Sequence, residues 1–175
     1  MTRLILRPKM PQQDPKVRIT NFEEVPLGYT EEMAQVEANR CLQCPDPTCV
    51  EGCPVNIDIP GFIKLIKEKN YRKAIEYVKE FNILPAICGR VCPQEVQCEQ
   101  ACILGKKREP IAIGALERYI ADWERNHSLK ACPDCQPPIN IKVAVLGSGP
   151  AGLTCAADLT RKGYDVTVFE AFHKG

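Results

Sequence analysis

The sequence lacks a long apolar run and an excess of charge of either sign. Its 23 lysines and arginines nearly balance 22 aspartates and glutamates, so the formal net charge is +1. A nucleic-acid partner is not expected, because phosphate binding favours a clearly basic face. No apolar run approaches the roughly 18 residues that span a bilayer, and the apolar residues Leu4–Leu6 are too few for the core of a secretory signal. We therefore expect a cytoplasmic protein without membrane contact.

Cysteine, in contrast, is abundant. Eleven of the 175 residues are cysteines. A reducing cytosol disfavours disulfides, so this density predicts metal binding or redox chemistry. Pro54 and Pro93, which each follow a cysteine, favour loops around the thiols over regular helix. Eight of the cysteines form two groups of four with similar gaps, Cys41, Cys44, Cys49 and Cys53, then Cys88, Cys92, Cys98 and Cys102.

Two groups of four thiolates indicate two iron–sulfur clusters, because soft sulfur ligands suit iron in a sulfide cage. In two-cluster bacterial ferredoxins the cysteine that precedes proline binds the other cluster. On that pattern Cys53 crosses to the second cluster and Cys102 crosses back to the first. The first cluster would be held by Cys41, Cys44, Cys49 and Cys102, and the second by Cys53, Cys92, Cys98 and a fourth ligand, either Cys88 or a side chain other than cysteine.

A pair of structural zinc sites is the main alternative, because it would also use eight thiolates. Zinc knuckles favour two tight hairpins, and only Cys41 and Cys44 have the two-residue gap. In that case the chain would be a zinc-stabilised module that docks a catalytic subunit and carries no electrons.

The order of turn signals and apolar periods predicts the domain organisation. Residues 1–29 contain four prolines and no clear period, which predicts an extended arm. Residues 30–129 read as a helical iron–sulfur domain, and residues 130–140, with three prolines, as a linker. That linker also holds Cys132 and Cys135, whose role is open. Helices are expected from Thr30 to Cys41, from about Pro60 to Asn70, from Tyr71 to about Phe81, from Gln94 to Ala101 and from Ile111 to about His127. Thr30 and Asn70 are the expected caps of the first and third of these helices, and Pro85 is expected to stop the third.

Residues 141–175 read as the first β-α-β portion of a dinucleotide-binding domain. A β-branched run from Ile141 to Leu146 leads into a glycine loop, and a helix from Leu153 to Lys162 and a strand from Asp165 to Phe169 are expected next. Two strands and one helix do not complete a doubly wound sheet, so we expect a truncated α/β domain. Cys155 is expected to be an ordinary buried thiol on the helix.

The glycine loop has the parts of a dinucleotide fingerprint. Gly147 would make the tight turn, Gly149 would let backbone approach a pyrophosphate, and Gly152 would let helix pack on strand. Glu170 ends the next strand, 23 positions after Gly147, and would accept a hydrogen bond from a ribose hydroxyl. The candidate cofactor-binding residues are Gly147, Gly149, Pro150, Ala151, Gly152 and Glu170.

Several segments together resemble one family, the N-terminal part of the NADPH-dependent glutamate synthase small subunit. The same module occurs in the large subunit of NADH-dependent ferredoxin:NADP oxidoreductase and in the N-terminal part of dihydropyrimidine dehydrogenase. The resemblance runs from about residue 20 to the end of the chain. It is carried by Asn21-Phe-Glu-Glu-Val, Leu27-Gly-Tyr-Thr-Glu-Glu-Met-Ala, Glu37-Ala-Asn-Arg-Cys-Leu-Gln-Cys, Ile59-Pro-Gly-Phe-Ile, Cys88-Gly-Arg-Val-Cys-Pro, Glu109-Pro-Ile-Ala-Ile-Gly-Ala-Leu-Glu-Arg-Tyr and Val145-Leu-Gly-Ser-Gly-Pro-Ala-Gly-Leu.

The resemblance implies a mainly α fold: a helical two-cluster domain, followed by the start of a Rossmann-type FAD-binding domain. It implies two [4Fe-4S] clusters with the crossed ligation, and it assigns the open fourth position of the second cluster to Glu117, with Cys88 not a ligand. FAD, NADPH in the full-length parent and a catalytic large subunit are the implied cofactors and partner. The function it implies is electron transfer within an NADPH-linked iron–sulfur flavoprotein oxidoreductase, and the 175-residue chain alone is not expected to turn over NADPH.

Overall fold

The computed structural model describes residues 5–127 and 135–173. The chain divides into two compact units, one of residues 1–131 and one of residues 132–175. The first unit is helical. Its helices are α1 (Pro15–Arg18), α2 (Glu31–Arg40), α3 (Thr48–Glu51), α4 (Ile59–Lys67), α5 (Tyr71–Phe81), α6 (Pro85–Val91) and α7 (Ile113–Asn126), with 3₁₀ turns at Gln94–Val96 and Ile103–Lys106.

Side-chain caps fix where the main helices of this unit begin. The Thr30 hydroxyl accepts from the backbone N–H of Met33 and starts α2, as its sequence predicts. Asp58 caps α4 in the same way, so that the helix starts at Ile59, one residue before the predicted start. The predicted cap Asn70 starts α5. Each cap satisfies a backbone donor that a helix leaves without an internal partner.

The core of the helical unit lies between α4, α5 and α7. The apolar stripes of these helices meet there, and the side chains with under 2% exposure include Phe62, Ile63, Ile66, Ile75, Val78, Leu116 and Ile120. A buried ion pair fastens α2 to the segment before α7. Glu37 Oε1 accepts from Arg40 and from the backbone N–H of Ala112, while Arg40 donates to the carbonyl oxygens of Glu109 and Pro110.

Three local predictions differ from the structure. The arm is not extended throughout, because Asp14 caps the short helix α1 and a bridge joins Gln12 to Pro26. Pro85 does not only end a helix: it occupies the first turn of α6, where its missing N–H costs nothing. The helix predicted from Gln94 to Ala101 shortens to a 3₁₀ turn at Gln94–Val96 followed by further turns.

The second unit is a β-α-β fragment. Strand β1 (Lys142–Leu146) and strand β2 (Asp165–Phe169) pair in parallel, and helix α8 (Pro150–Arg161) connects them. The predicted strand limits match within one residue, whereas α8 begins three residues before the predicted start, because Pro150 suits the first helical turn. The predicted fold class, a mainly helical domain followed by the start of a Rossmann-type domain, is confirmed.

Across residues 5–127 and 135–173, no helix combines the length and the apolar character that crossing a bilayer would require.

Candidate metal centres and glycine loop

The first set of thiols borders one apolar cavity of the helical unit, which we call the first centre. Its four cysteines are those predicted to share a cluster, including Cys102, which comes from the second group in the sequence. The remaining wall is mostly aliphatic, so water is largely excluded. The residues that border the first centre include Cys41, Cys44, Cys49, Cys102, Leu42, Ile59, Ile63, Leu104, Ile111 and Ile113.

Helix ends deliver these thiols to the cavity. Helix α2 ends at Cys41, and Cys102 immediately precedes the 3₁₀ turn Ile103–Lys106. Cys49 lies on α3, which is fastened to the segment before Cys102 because the Thr48 hydroxyl donates to Ala101 O at 2.5 Å. Gly52 permits this approach, since a Cβ there would lie 2.8 Å from Ala101 Cβ.

Burial and crowding favour the neutral form of Cys41 and Cys49 until a cation replaces the protons. Burial, together with the neighbouring Cys102, Cys41 and Cys44, raises the pKa of Cys49 to about 12. Burial is also the main cause of the raised pKa of Cys41. Metal binding requires thiolates and releases protons, so a positively charged metal group would offset both the desolvation and the mutual repulsion.

The second set of candidate ligands also comes together, and we call it the second centre. Cys98 is buried, and its pKa is raised to about 12 by burial first and then by nearby acidic groups that include Cys53, Cys92 and Glu117. Cys92 interacts in the same way with Cys53 and Glu117. Cys102 therefore lies beside the first set and Cys53 beside the second, which is the placement that the predicted exchange of ligands requires.

Glu117 is the only carboxylate among the candidate ligands, and it is 6% exposed on α7. Burial raises its pKa to about 7, although the Asn82 side-chain amide donates to its Oε1 at 2.8 Å. A close helix crossing brings it there, because a Cβ on Gly89 of α6 would lie 2.6 Å from the backbone N of Arg118. A buried carboxylate without a cationic partner is costly, and a metal ligand role would relieve that cost.

Cys88 lies beside the same group. Burial is the main cause of the raised pKa of the Cys88 thiol. A hydrogen bond with Asn82 opposes this shift, and the nearby Glu117 and Cys53 add to it. Asn82 thus contacts both candidates for the fourth position, and sequence reasoning missed it because nothing in its spacing distinguishes it from a helix terminus. Cys88 and Glu117 therefore both lie close to the thiols of the second centre.

The first centre has the donors and the cavity that an iron–sulfur cluster requires. Within residues 5–127 and 135–173, no three His, Cys, Asp or Glu side chains converge closely enough to hold a single metal ion. The thiols of the first centre instead stand around a cavity. Four soft donors around a dry, apolar space match the donor set and surroundings of an iron–sulfur cluster.

Not every cysteine follows the sequence predictions. Cys49 and Cys88 lie on the short helices α3 and α6 and not in loops. Helix α3 starts directly after Pro47, and α6 starts at Pro85. Cys155 is exposed and not buried, because Ala156 is the residue of α8 that faces the strands. Cys135 is exposed, and Cys132 lies outside the described residues.

The glycine loop has the predicted backbone geometry. Gly147 has φ +98°, which a side chain would strain, and Gly152 is so close to the loop that a Cβ would lie 2.1 Å from Gly147 O. A Cβ on Gly149 would meet nothing within 4 Å, so open space faces the start of α8. Pro150 and Ala151 are exposed in its first turn, where unpaired backbone N–H groups favour phosphate.

Glu170 contacts the loop itself. Its Oε2 accepts from the backbone N–H and the hydroxyl of Ser148, at 2.8 and 2.6 Å, and its Oε1 accepts from Phe172 N. These hydrogen bonds, Ser148 first, lower the pKa of Glu170 to about 2. The carboxylate therefore braces the glycine loop, a role that the fingerprint does not predict, and Ser148 is an addition to the predicted set.

Comparison with known proteins matches both units. The family of dihydropyrimidine dehydrogenase domain II, 4Fe-4S cluster, matches residues 18–129, and an NAD(P)-binding Rossmann-like domain matches residues 145–174. The chain therefore carries a 4Fe-4S domain followed by the start of an NAD(P)-binding Rossmann-like domain.

Two kinds of oxidoreductase subunit are among the proteins similar to this chain. The NAD-dependent dihydropyrimidine dehydrogenase subunit PreT of Escherichia coli K12 is 38% identical over 161 residues, which are 92% of this chain and 37% of PreT. The glutamate synthase [NADPH] small chain of the same strain is 39% identical over 160 residues, 91% of this chain and 34% of the relative. That of Azospirillum brasilense is 36% identical over 170 residues, 95% and 35%.

The chain spans about a third of the length of these relatives. The resemblance to the glutamate synthase small subunit and to the dihydropyrimidine dehydrogenase module is confirmed. Since the family model covers most of the helical unit, the chain belongs to the family of dihydropyrimidine dehydrogenase domain II with its 4Fe-4S cluster.

Proposed function

We propose that the helical unit holds two [4Fe-4S] clusters and relays electrons between FAD, bound at the glycine loop, and the cofactors of a partner subunit. Cys41, Cys44, Cys49 and Cys102 would hold the first cluster, and Cys53, Cys92, Cys98 and Glu117 the second. The observation that supports this proposal is that each set of thiols has one cysteine of the other sequence group beside it, Cys102 beside the first set and Cys53 beside the second. Such an exchange ties two centres into one folding unit, as in two-cluster ferredoxins.

The clusters, when bound, supply one-electron chemistry, and the chain controls the surroundings in which that chemistry occurs. Around the first centre, the aliphatic wall excludes water, and a low dielectric strengthens every nearby charge and hydrogen bond. In the second centre, the Glu117 carboxylate is a harder donor than a thiolate, and Asn82 orients it. The two centres are thereby given different electronic surroundings within one domain.

The second unit would bind the phosphates of a dinucleotide. Gly149 leaves room beside the N-terminus of α8, where Pro150 starts the first turn and the backbone N–H groups of Ala151 and Gly152 would face a pyrophosphate. Glu170 would hold the loop in shape through Ser148, and ribose recognition would use its remaining acceptor capacity. FAD is the proposed ligand here, with NADPH bound elsewhere in a full-length parent.

The parent would be an NADPH-linked cytoplasmic oxidoreductase of the glutamate synthase small-subunit type, docked on a catalytic large subunit. The support is the similarity to glutamate synthase [NADPH] small chains over more than 90% of the chain. The PreT subunit is similar to the same extent, so an NAD-dependent dihydropyrimidine dehydrogenase subunit is the second candidate. In the proposed domain organisation, residues 1–29 are an arm, 30–129 the iron–sulfur domain, 130–140 a linker and 141–175 the start of the FAD domain.

The first experiment measures iron, zinc and acid-labile sulfide in anaerobically purified protein, together with its visible spectrum. About eight irons and eight sulfides per chain, with a brown absorbance that bleaches on reduction, are expected for two clusters. About two zincs without colour would make the chain a zinc-stabilised docking module and would overturn the electron-transfer proposal.

A further inference from the structure

Gln43 lies between Cys41 and Cys44, and its side chain turns back onto the first centre. Its Nε2 lies 3.4 Å from Cys41 Sγ and 3.1 Å from the carbonyl oxygen of Pro60. Both Cys41 and Pro60 border the cavity of the first centre. The side-chain amide of Gln43 therefore bridges a candidate ligand and the first turn of α4.

The orientation of this amide follows from its partners. The Pro60 carbonyl only accepts hydrogen bonds, so the group 3.1 Å from it must be the NH₂ and not the amide oxygen. A primary amide has two N–H donors, one for Pro60 O and one for Cys41 Sγ. The backbone N–H of Gln43 donates to the same sulfur, so this single residue directs two donors at Cys41.

The backbone at Gln43 is in the left-handed region, with φ 52°. A residue with a side chain adopts this conformation uncommonly, and where it does so the surrounding structure fixes it. Here the bond to Pro60 O holds the side chain and the bond to Cys41 holds the backbone. The amide is thus held in place by contacts within the chain itself.

Hydrogen bonds to cysteine sulfur withdraw electron density and favour the more negative, reduced state of an iron–sulfur cluster. In a water-poor apolar wall this effect is not diluted by solvent. We propose that Gln43 raises the reduction potential of the first cluster through its side-chain N–H bond to Cys41. The inference rests on the proposed function, because it requires a cluster at the first centre.

The test replaces Gln43 by methionine, which has a similar length and no N–H donor. Potentiometric titration of the anaerobic 175-residue chain, followed by electron paramagnetic resonance, should show one midpoint lowered. A tenfold fall in the reduction equilibrium constant, about 59 mV for one electron, is the expected size. Resonance Raman spectra of the oxidised protein should also show an Fe–S(Cys) stretch moved to higher frequency.

Two further variants complete the design. Gln43→Gly removes the side chain, relaxes the left-handed backbone and retains the backbone donor, so it should lower the same midpoint even if Gln43→Met folds poorly. Gln35→Leu is the matched control, because its amide donates to Ile66 O and Tyr71 but to no cysteine.

The outcomes separate this inference from the proposed function. Normal iron and sulfide content with unchanged midpoints and Fe–S stretches in both Gln43 variants would overturn the role of Gln43 alone. A midpoint shift of equal size in Gln35→Leu would also overturn it. Wild-type protein without iron and sulfide would overturn the proposed function and the inference together.

Discussion

The two centres of the helical unit differ in what surrounds them and in what completes them. The first has four thiols in a mostly aliphatic wall. The second brings three predicted thiols together with Cys88 and the buried Glu117 carboxylate, and the Asn82 side chain contacts both Cys88 and Glu117. Cysteine spacing alone predicts a centre of the first kind, because all its proposed ligands are cysteines. Cysteine spacing does not predict a centre that combines thiols with a carboxylate, because such a prediction also depends on which helix face is buried beside the thiols.

The largest expected effect comes from removing a thiol of the second centre. Cys98→Ala should lower the iron content from about eight to about four per chain, or to about seven if a three-iron cluster forms, because three donors remain at that site. The first centre should keep its cluster, since its four thiols border a separate cavity. Iron and sulfide analysis with electron paramagnetic resonance measures both.

Cys155→Ala is the matched control, because Cys155 is exposed on α8 and should leave the iron content unchanged. Equal loss of both clusters in Cys98→Ala would mean that the exchange of Cys53 and Cys102 makes the centres fold only together. Loss of neither would contradict the assignment of Cys98.

A smaller effect, still specific to one centre, is expected from Gly89→Ala. The added Cβ would lie 2.6 Å from Arg118 N and 2.8 Å from Arg118 Cα, so α6 and α7 must separate. Overpacking of this kind costs about 1–3 kcal/mol. The movement should displace Glu117 from the thiols and lower occupancy of the second cluster before that of the first, which denaturant unfolding and iron analysis would measure.

Gly105→Ala provides the comparison for that variant. A Cβ on Gly105 would meet only ordinary contacts, the nearest being Pro110 Cβ at 3.5 Å, and it has no positive φ. Stability and iron content should both remain at wild-type values. If Gly89→Ala behaved like Gly105→Ala, the close crossing of α6 and α7 would not be what positions Glu117.

Removing each candidate for the fourth position in turn tests which of the two side chains is a ligand of the second cluster. Glu117→Ala should shift the potential of the second cluster, by about tenfold in its reduction constant, or 59 mV, or reduce its stability. Cys88→Ala should do so less, because the thiol would only neighbour the cluster. Potentiometric titration of both variants measures the difference, and the opposite order would identify Cys88 as the ligand.

Sequence patterns predicted those parts of the molecule that depend on local chemistry. The Thr30 and Asn70 caps and the limits of α5 and β2 follow from capping residues and apolar periods, and the structure has them. The short helix α6 was missed because Pro85 was interpreted only as a helix stop, although proline also suits a first helical turn.

Some site residues could likewise be predicted from local sequence patterns and others could not. The partition of cysteines followed from spacing and the proline rule, whereas Glu117 came from a family resemblance, because helical spacing alone favours a solvent-facing charge at that position. Gln43, Asn82 and Ser148 depend on long-range or loop contacts that no spacing encodes. Glu170 was predicted as a nucleotide contact, yet its hydrogen bonds to Ser148 depend on how the loop after β2 turns.

The smallest expected effect concerns the arm that lies against the helices of the second centre. Glu24 accepts from Arg90 at 2.6 Å and from Arg118 at 2.7 Å, and the Arg90 hydrogen bond is the main cause of its lowered pKa. A lowered carboxylate pKa stabilises the fold above the ordinary value of 4.5, and this contribution is lost as pH falls through the lowered value. Asp122, which also accepts from Arg90, keeps that arginine in place.

We therefore expect the protection factors of the arm amides, which correct each exchange rate for its intrinsic value at that pH, to fall on acidification by less than about fivefold, because the Glu24 side chain is half-exposed and such ion pairs are weak. In Glu24→Gln the protection factors of the arm amides should already be lower at pH 7. They should also change less with pH than those of the wild-type protein. The thiols of the first centre have no contact with this ion pair, so the potential of the first cluster should be the same in both proteins. An arm whose exchange is unaffected by Glu24→Gln would mean that the apolar contacts of Tyr29 hold it instead.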